Sequence, residues 1–360
     1  MQRLQIFAGL SAYTKIRKDG LSPEDVGAIF GASGAAKWLT IAGLDKAIFG
    51  QWLADYNPQT PIDLFGTSVG AFKLAAAAQD NPADAIMRFA SLYAAQRFSG
   101  DISAETVAKT TENMILDMLG EDEDGVWQIL ANPKYYFHCG AVRCHGTLNT
   151  ENATVQRFGM AVGFMKSMFS DKGLDGLCER TIFSDPRSLT RFKAKDGFQV
   201  RRIELSADNL ARALIASGSI PVYMNGVDFP QDSERYYRDG GLLDYHPVPS
   251  AILPKSDKLV LYPHFYPSIT RRWFDKFFPW KQVDPKELDN VVIIAPNDAH
   301  INSLPDGRIP DRRDFVKFQS NEALRISRWQ TAVSKSEALG DEFLRLCETG
   351  DISDRVRPIV

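Results

Sequence analysis

The residues best placed to do chemistry surround Ser68. The stretch Ile62-Asp63-Leu64-Phe65-Gly66-Thr67-Ser68-Val69-Gly70-Ala71-Phe72 predicts a buried strand, a Gly-x-Ser-x-Gly turn, and an alanine-rich helix running to about Ala78. A serine on such a turn is held in a strained conformation with its hydroxyl exposed. Gly66 and Gly70 remove side chains that would collide with the neighbouring strand and helix. The helix start beneath supplies N–H groups and a dipole that favour developing negative charge. That is the chemistry of an activated serine nucleophile. The plainer reading is a glycine turn whose serine only caps the helix.

Upstream, Val26 to Phe30 leads into Gly31-Ala32-Ser33-Gly34-Ala35-Ala36-Lys37. A P-loop needs Gly directly before the Lys and Ser or Thr after it, whereas here Ala36 and Trp38 flank Lys37, so a nucleotide site is excluded. A tight loop presenting N–H donors to an oxyanion fits better, with a ligand-free packing turn as the alternative. Downstream come Ala216-Ser217-Gly218-Ser219-Ile220-Pro221 and Asp239-Gly240-Gly241. An aspartate followed by two glycines can present its carboxylate at a strand end while another backbone approaches closely.

Other chemistry-bearing residues have weaker patterns. His138-Cys139 and Cys144-His145 could converge on a metal only if the chain turned at Gly140, because a straight strand sends neighbours to opposite faces. No metal or cofactor is expected. His246, His264 and His300 follow Ser68 in the order a Ser-Asp-His triad would need, but one clear strand before the serine is fewer than that fold requires. Arg271-Arg272-Trp273-Phe274-Asp275-Lys276-Phe277-Phe278-Pro279-Trp280-Lys281 mixes cations with aromatics, as in a peripheral membrane contact or a loop packed on the core. The run Phe158 to Phe169 is rich in Met and Phe, which suits either plain core or the lining of an acyl pocket.

The elements that must position these residues alternate. Short apolar runs at Val26–Phe30, Ile62–Phe65, Leu259–Tyr262 and Val291–Ala295 read as buried strands with helical patterns between them. An α/β protein with a largely parallel sheet follows. Asp314 to Leu346 reads as helix, with a break expected across Ser334 to Gly340, and the charged run Glu121 to Asp124 reads as a solvated loop. No linker-like composition divides the chain. One unit over residues 1–360 is expected, with a motif-bearing core at about 22–300 and a helical C-terminal extension at 301–360. A chain of 360 residues can bury roughly three quarters of its unfolded surface without staples. The net charge of -3 excludes a nucleic-acid polycation, and four irregularly spaced cysteines do not make a disulfide framework. The first twenty residues hold only a short mixed apolar stretch, unlike a signal peptide, so a reducing, cytoplasmic setting is expected.

Taken together, the glycine loop, Gly-Thr-Ser-x-Gly, Ala-Ser-x-x-x-Pro and Asp-Gly-Gly with a nearby Pro resemble the patatin-like phospholipase family. The likeness covers islands between about Val26 and Val248. It implies a three-layer α/β/α fold and a lipid acyl hydrolase working through a Ser-Asp dyad. Carried over residue by residue, Ser68 is the nucleophile and Asp239 the base. Gly31, Gly34 and Ala35 then lie near the oxyanion hole, and Gly66, Gly70, Gly240 and Gly241 support the site. Two departures stand out. The family's loop is richer in Gly with a cation just before its last Gly, where this chain has Ala36 and then Lys37. Tyr245 also stands where the family often has Asn after its Asp-Gly-Gly. A patatin fold that has lost activity and serves as a lipid-binding or interaction module is the competing implication.

Overall fold

The computed structural model describes residues 2–98, 103–120 and 124–360. Most of the expected charged loop, residues 121–123, lies outside the described residues, and Asp124 opens the helix Asp124–Ala131. Among the described residues, ten strands form one sheet: β1 Leu4–Ala8, β2 Val26–Gly31, β3 Ile62–Thr67, β4 Tyr135–Cys144, β5 Cys178–Ser184, β6 Val200–Glu204, β7 Tyr237–Asp239, β8 Leu259–Pro263, β9 Val291–Pro296 and β10 Val356–Pro358. The order is β10-β1-β9-β8-β2-β3-β4-β5-β6, with β7 added to β4. The middle of the sheet, from β9 to β4, is parallel, and antiparallel pairs join β1 to β9 and β4 to β5 and β7. Flanking helices complete the α/β architecture. Both faces of the central strands are covered, so β3, β8 and β9 are buried almost throughout.

The four expected strands are present, each extended by one or two residues. Two strands, β1 and β2, precede β3 in the chain, correcting the expectation of one. β1 alternates buried and half-buried residues at the sheet's antiparallel flank, so it shows no continuous apolar run. The C-terminal segment is not purely helical, because β10 pairs with β1 in the same sheet. Nor does its long helix break where expected. Glu322–Thr349 is continuous, and the interruption comes earlier, after the short helix Asp314–Lys317, where the Asn321 side chain caps the N–H of Leu324. Gly340 is needed for close packing. A Cβ there would lie 2.6 Å from the carbonyl oxygen of Gly43 on the helix Ala42–Ala47.

The feature that builds the site is the unequal length of β3 and β4. β3 pairs with β4 as far as Thr67 opposite Gly140, while β4 runs on to Cys144. β7 takes up the vacated edge, with Asp239 opposite Ala141. The ends of β3 and β7 therefore abut on β4, bringing Ser68 next to Asp239 across 171 residues of chain. Among the described residues, no helix is long and apolar enough to cross a membrane.

Candidate active site

Ser68 follows β3 directly and has φ +53° and ψ −134°, a conformation that a residue with a Cβ occupies only under strain of roughly 1–3 kcal/mol. The helix Val69–Ala77 begins with the next residue and is buried on every side. The crossing of strands and helix is tight enough to demand glycine. A Cβ on Gly70 would sit 2.2 Å from the Gly31 carbonyl oxygen, and one on Gly66 would sit 2.5 Å from the carbonyl of Gly70. On the other side, a Cβ on Gly240 would lie 2.2 Å from the Gly140 carbonyl oxygen.

The Ser68 hydroxyl donates to Asp239 Oδ2 at 3.0 Å, and Asp239 Oδ1 accepts the Gly241 N–H at 2.7 Å. Burial pushes the Asp239 carboxyl up to about 6, against the opposing pull of the Gly241 and Ser68 hydrogen bonds. The Ala-Ser-x-x-x-Pro segment holds both partners. Ser68 donates its N–H to Ser217 Oγ at 2.8 Å, Ser217 donates its hydroxyl to the Gly140 carbonyl at 2.6 Å, and the Asp239 N–H reaches the Ser219 carbonyl at 2.9 Å.

Ser68 and Asp239 open into a cavity of about 410 Å³. Gly34 and Ala35 line it, but Gly31 does not; Gly31 lies behind, against Gly70. Ala35 has φ +51° in a loop where the family favours glycine. The sequence pattern missed Ser33. Its N–H is spent on the Tyr245 carbonyl at 2.8 Å and its hydroxyl meets Thr67 Oγ1 at 2.9 Å, which ties the glycine loop to the end of β3. Tyr245, at the position often occupied by Asn, thus supports the loop through its backbone.

The far wall comes from segments with no motif. Trp273, Lys276 and Phe277 belong to the aromatic-basic stretch, and Asp311 and Arg312 to the C-terminal segment. Lys37, one place late for the family pattern, pairs with Asp311 at 2.7 Å. Burial and the nearby Arg312 and Lys37 charges lower Lys276 to about 7.

The histidines do not complete a triad. His246 lies in the cavity wall, but its Nδ1 accepts the Thr270 N–H at 2.9 Å, and burial holds it well below the usual imidazole range. His264 Nδ1 accepts the Tyr266 N–H, and His300 sits on the helix Asp298–Ser303; neither bonds Ser68 or Asp239. β4 runs straight through Gly140, so the turn that would gather His138, Cys139, Cys144 and His145 does not occur. Both ring nitrogens of His138 are engaged, with Asp63 at 2.9 Å and Ser184 at 3.0 Å. Phe158 to Phe169 line no part of this cavity. A larger groove of about 1680 Å³ lies at the starts of β2, β3 and β8, whereas ligands of open α/β sheets bind beyond the carboxyl ends.

No curated protein matches the chain. A family model described as patatin-like phospholipase matches residues 63–252, more than half of the chain, including both Ser68 and Asp239 but neither the loop at 31–37 nor the cavity wall at 273–277 and 311–312. The chain belongs to the patatin-like phospholipase family, whose members are in general lipid acyl hydrolases.

Proposed function

We propose that the protein hydrolyses lipid-type carboxylic esters through a Ser68–Asp239 dyad and an acyl-enzyme. The 3.0 Å hydrogen bond from Ser68 Oγ to a buried carboxylate carries this reading. Asp239 accepts the Ser68 proton as Oγ attacks the ester carbonyl. The resulting oxyanion meets the N–H groups of Gly34 and Ala35, with Gly31 fixing the loop from behind. Each such donor is worth about 2.7–4 kcal/mol in the transition state. Collapse breaks the ester C–O bond, and the alcohol leaves with the proton held by Asp239. Water then gives a proton to Asp239, attacks the acyl carbon, and frees the carboxylic acid as the proton returns to Ser68. No metal or cofactor is required.

The Arg312 cation on the facing wall, joined by Lys276 when that group is protonated, suits a substrate with a negative group near the ester. We take the whole chain as one domain, because the C-terminal segment supplies both Arg312 and β10. We place it in the cytoplasm, with peripheral membrane contact through Arg271–Lys281. Phe277 and Trp280 are exposed there, while Phe274 and Phe278 are buried.

The test is fluorophosphonate labelling and esterase assay of wild type beside Ser68→Ala. Labelling that disappears in the variant, with hydrolysis falling on the order of 10³-fold or more, is expected. A folded wild type that neither labels nor hydrolyses would leave the lipid-binding module.

A further inference from the structure

The helix Ala153–Phe169 is apolar on two faces. Its fully buried positions are Gln156, Gly159, Gly163 and Ser167, all small or polar, and beside them Met160, Phe164 and Met168 pack half-buried on Leu174, Phe274 and Phe278. A Cβ on Gly159 would lie 2.2 Å from Thr147 Oγ1, so that side is seated flush against the protein. Val155, Phe158, Val162, Met165 and Phe169 recur at steps of three and four, which aligns them in one stripe. Apart from half-buried Val162, that stripe faces outward: Phe158 is 65%, Met165 62% and Phe169 85% exposed. Contiguous apolar surface of this kind on a protein marks an interaction site.

Neighbouring contacts place the helix beside the cavity. Gln156 accepts the Val222 N–H at 2.6 Å, close to Ile220 in the cavity wall. The ring of Phe164 packs 5.8 Å from that of Phe277, which lines the same cavity, and 5.1 Å from Phe278. Lys281 donates to the Ser170 carbonyl at the helix end at 3.0 Å. Phe277 and Trp280, 54% and 64% exposed, therefore extend the apolar surface. The helix carries Arg157 and Lys166 and no acidic residue. Just beyond it, Asp171 is paired with Lys281 at 2.9 Å.

We propose that this helix is an interfacial anchor that lays its Phe158–Met165–Phe169 stripe on an anionic lipid surface, holding the cavity beside the bilayer. Exposed aromatics with flanking cations and no carboxylate match the polarity of an anionic interface, and among the described residues no acidic side chain pairs with Arg157 or Lys166. The proposal rests on the lipid-ester reading of the adjoining cavity, and its test separates the two.

The full-length protein is sedimented with vesicles of phosphatidylcholine alone or mixed equally with phosphatidylglycerol. A soluble short-chain ester is assayed in parallel, and light scattering follows the oligomeric state. The wild type is expected to sediment with the mixed vesicles. The combined variant Phe158→Ser, Met165→Ser, Phe169→Ser should lose on the order of 10-fold or more in binding, from the apolar area withdrawn, with soluble-ester hydrolysis unchanged. Arg157→Ala with Lys166→Ala should weaken binding to mixed vesicles alone. A wild type that binds neither vesicle, or a triple variant that binds as well as wild type, would overturn the anchor. So would a concentration-dependent dimer that the triple variant abolishes, because the stripe would then belong to a second copy. Lost vesicle binding in the variant without any ester hydrolysis by the wild type would uphold the anchor and remove the esterase.

Discussion

The helix behind Ser68 and the helix beside the cavity both carry glycines on a packed face, yet they use them for opposite ends. In Val69–Ala77, Gly70 brings three backbones together and leaves no surface free. Even Lys73 is buried there, its ammonium donating to Asp45 at 2.9 and 3.1 Å and to the Pro263 carbonyl at 3.2 Å, while Trp38 donates to Asp45 at 2.7 Å. In Ala153–Phe169, Gly159 and Gly163 seat the helix flat, Met160, Phe164 and Met168 pack on the core, and Phe158, Met165 and Phe169 are left outside. The first arrangement fixes a serine against an aspartate to within a hydrogen bond. The second packs one face on the core and leaves three large apolar side chains, Phe158, Met165 and Phe169, in solvent. Placement precision and surface presentation are built from similar compositions, and only the neighbours distinguish them.

Substituting the glycines tests that contrast most severely. A methyl at Gly70 would meet main-chain atoms alone, at 2.2 Å from Gly31 O, 2.3 Å from Gly31 C and 2.8 Å from Ala32 N. Strand and helix cannot part without dismantling the sheet, so Gly70→Ala should cost more than about 4 kcal/mol or prevent folding. At Gly163 the nearest atom is a side-chain terminus, Leu174 Cδ2 at 2.7 Å, which can turn aside. Gly163→Ala should cost about 1 kcal/mol or less, since alanine's helix propensity offsets part of the crowding. Urea unfolding of both variants checks the pair. Equal losses would mean that the two glycine faces do the same job.

The next effect in size belongs to Asp239, where position for chemistry opposes stability. A carboxyl whose titration is raised by folding favours the native state when protonated, and that advantage is lost as pH rises through about 6. Asp239→Asn keeps an acceptor for the Gly241 N–H and removes the buried charge. The variant should match wild type below pH 4 and gain up to about 3 kcal/mol above pH 6, as the shift converts at roughly 1.4 kcal/mol per unit. It should also lack activity. In the wild type, kcat/KM should rise with pH through a midpoint near 6, because the base works only when ionised. Thermal melts across pH and a pH–rate profile read both. A variant less stable than wild type at pH 8 would show that the carboxylate is held by more than it is penalised for.

How much of this was legible in the sequence depended on how local the signal was. The turn at Ser68 could be read because strand, turn and helix are contiguous and each glycine answers a nearby backbone. The partner Asp239 was reachable only through its own short motif, because what joins it to Ser68 is the overhang of β4. That strand, Tyr135–Cys144, opens with only three aromatics, Tyr135 to Phe137, before His138, Gly140 and Arg143 interrupt its apolar residues. Lys276 and Arg312 entered the site from segments where cations next to aromatics are equally consistent with a surface. Gly340 misled in the other direction: a residue that usually weakens a helix was required by the close approach of Gly43. The Phe158–Phe169 run illustrates the limit most plainly. Its periodicity defines a stripe but says nothing of which way the stripe faces.

That orientation leads to the smallest expected effect and the sharpest distinction. If the outward stripe of Ala153–Phe169 serves a surface and not the fold, removing one ring should hardly disturb the free protein. Phe169→Ser, at the most exposed of these positions, should change stability by less than about 0.5 kcal/mol. Phe72→Ala, within the buried helix and packed edge-on to Phe89 at 6.1 Å, should cost about 3–5 kcal/mol. Two phenylalanines on two helices of one protein would then differ about sixfold or more in what they contribute to folding. A loss at Phe169 approaching that at Phe72 would mean that the stripe packs on protein in solution, and the helix would have to be reassigned from an exposed face to part of the core.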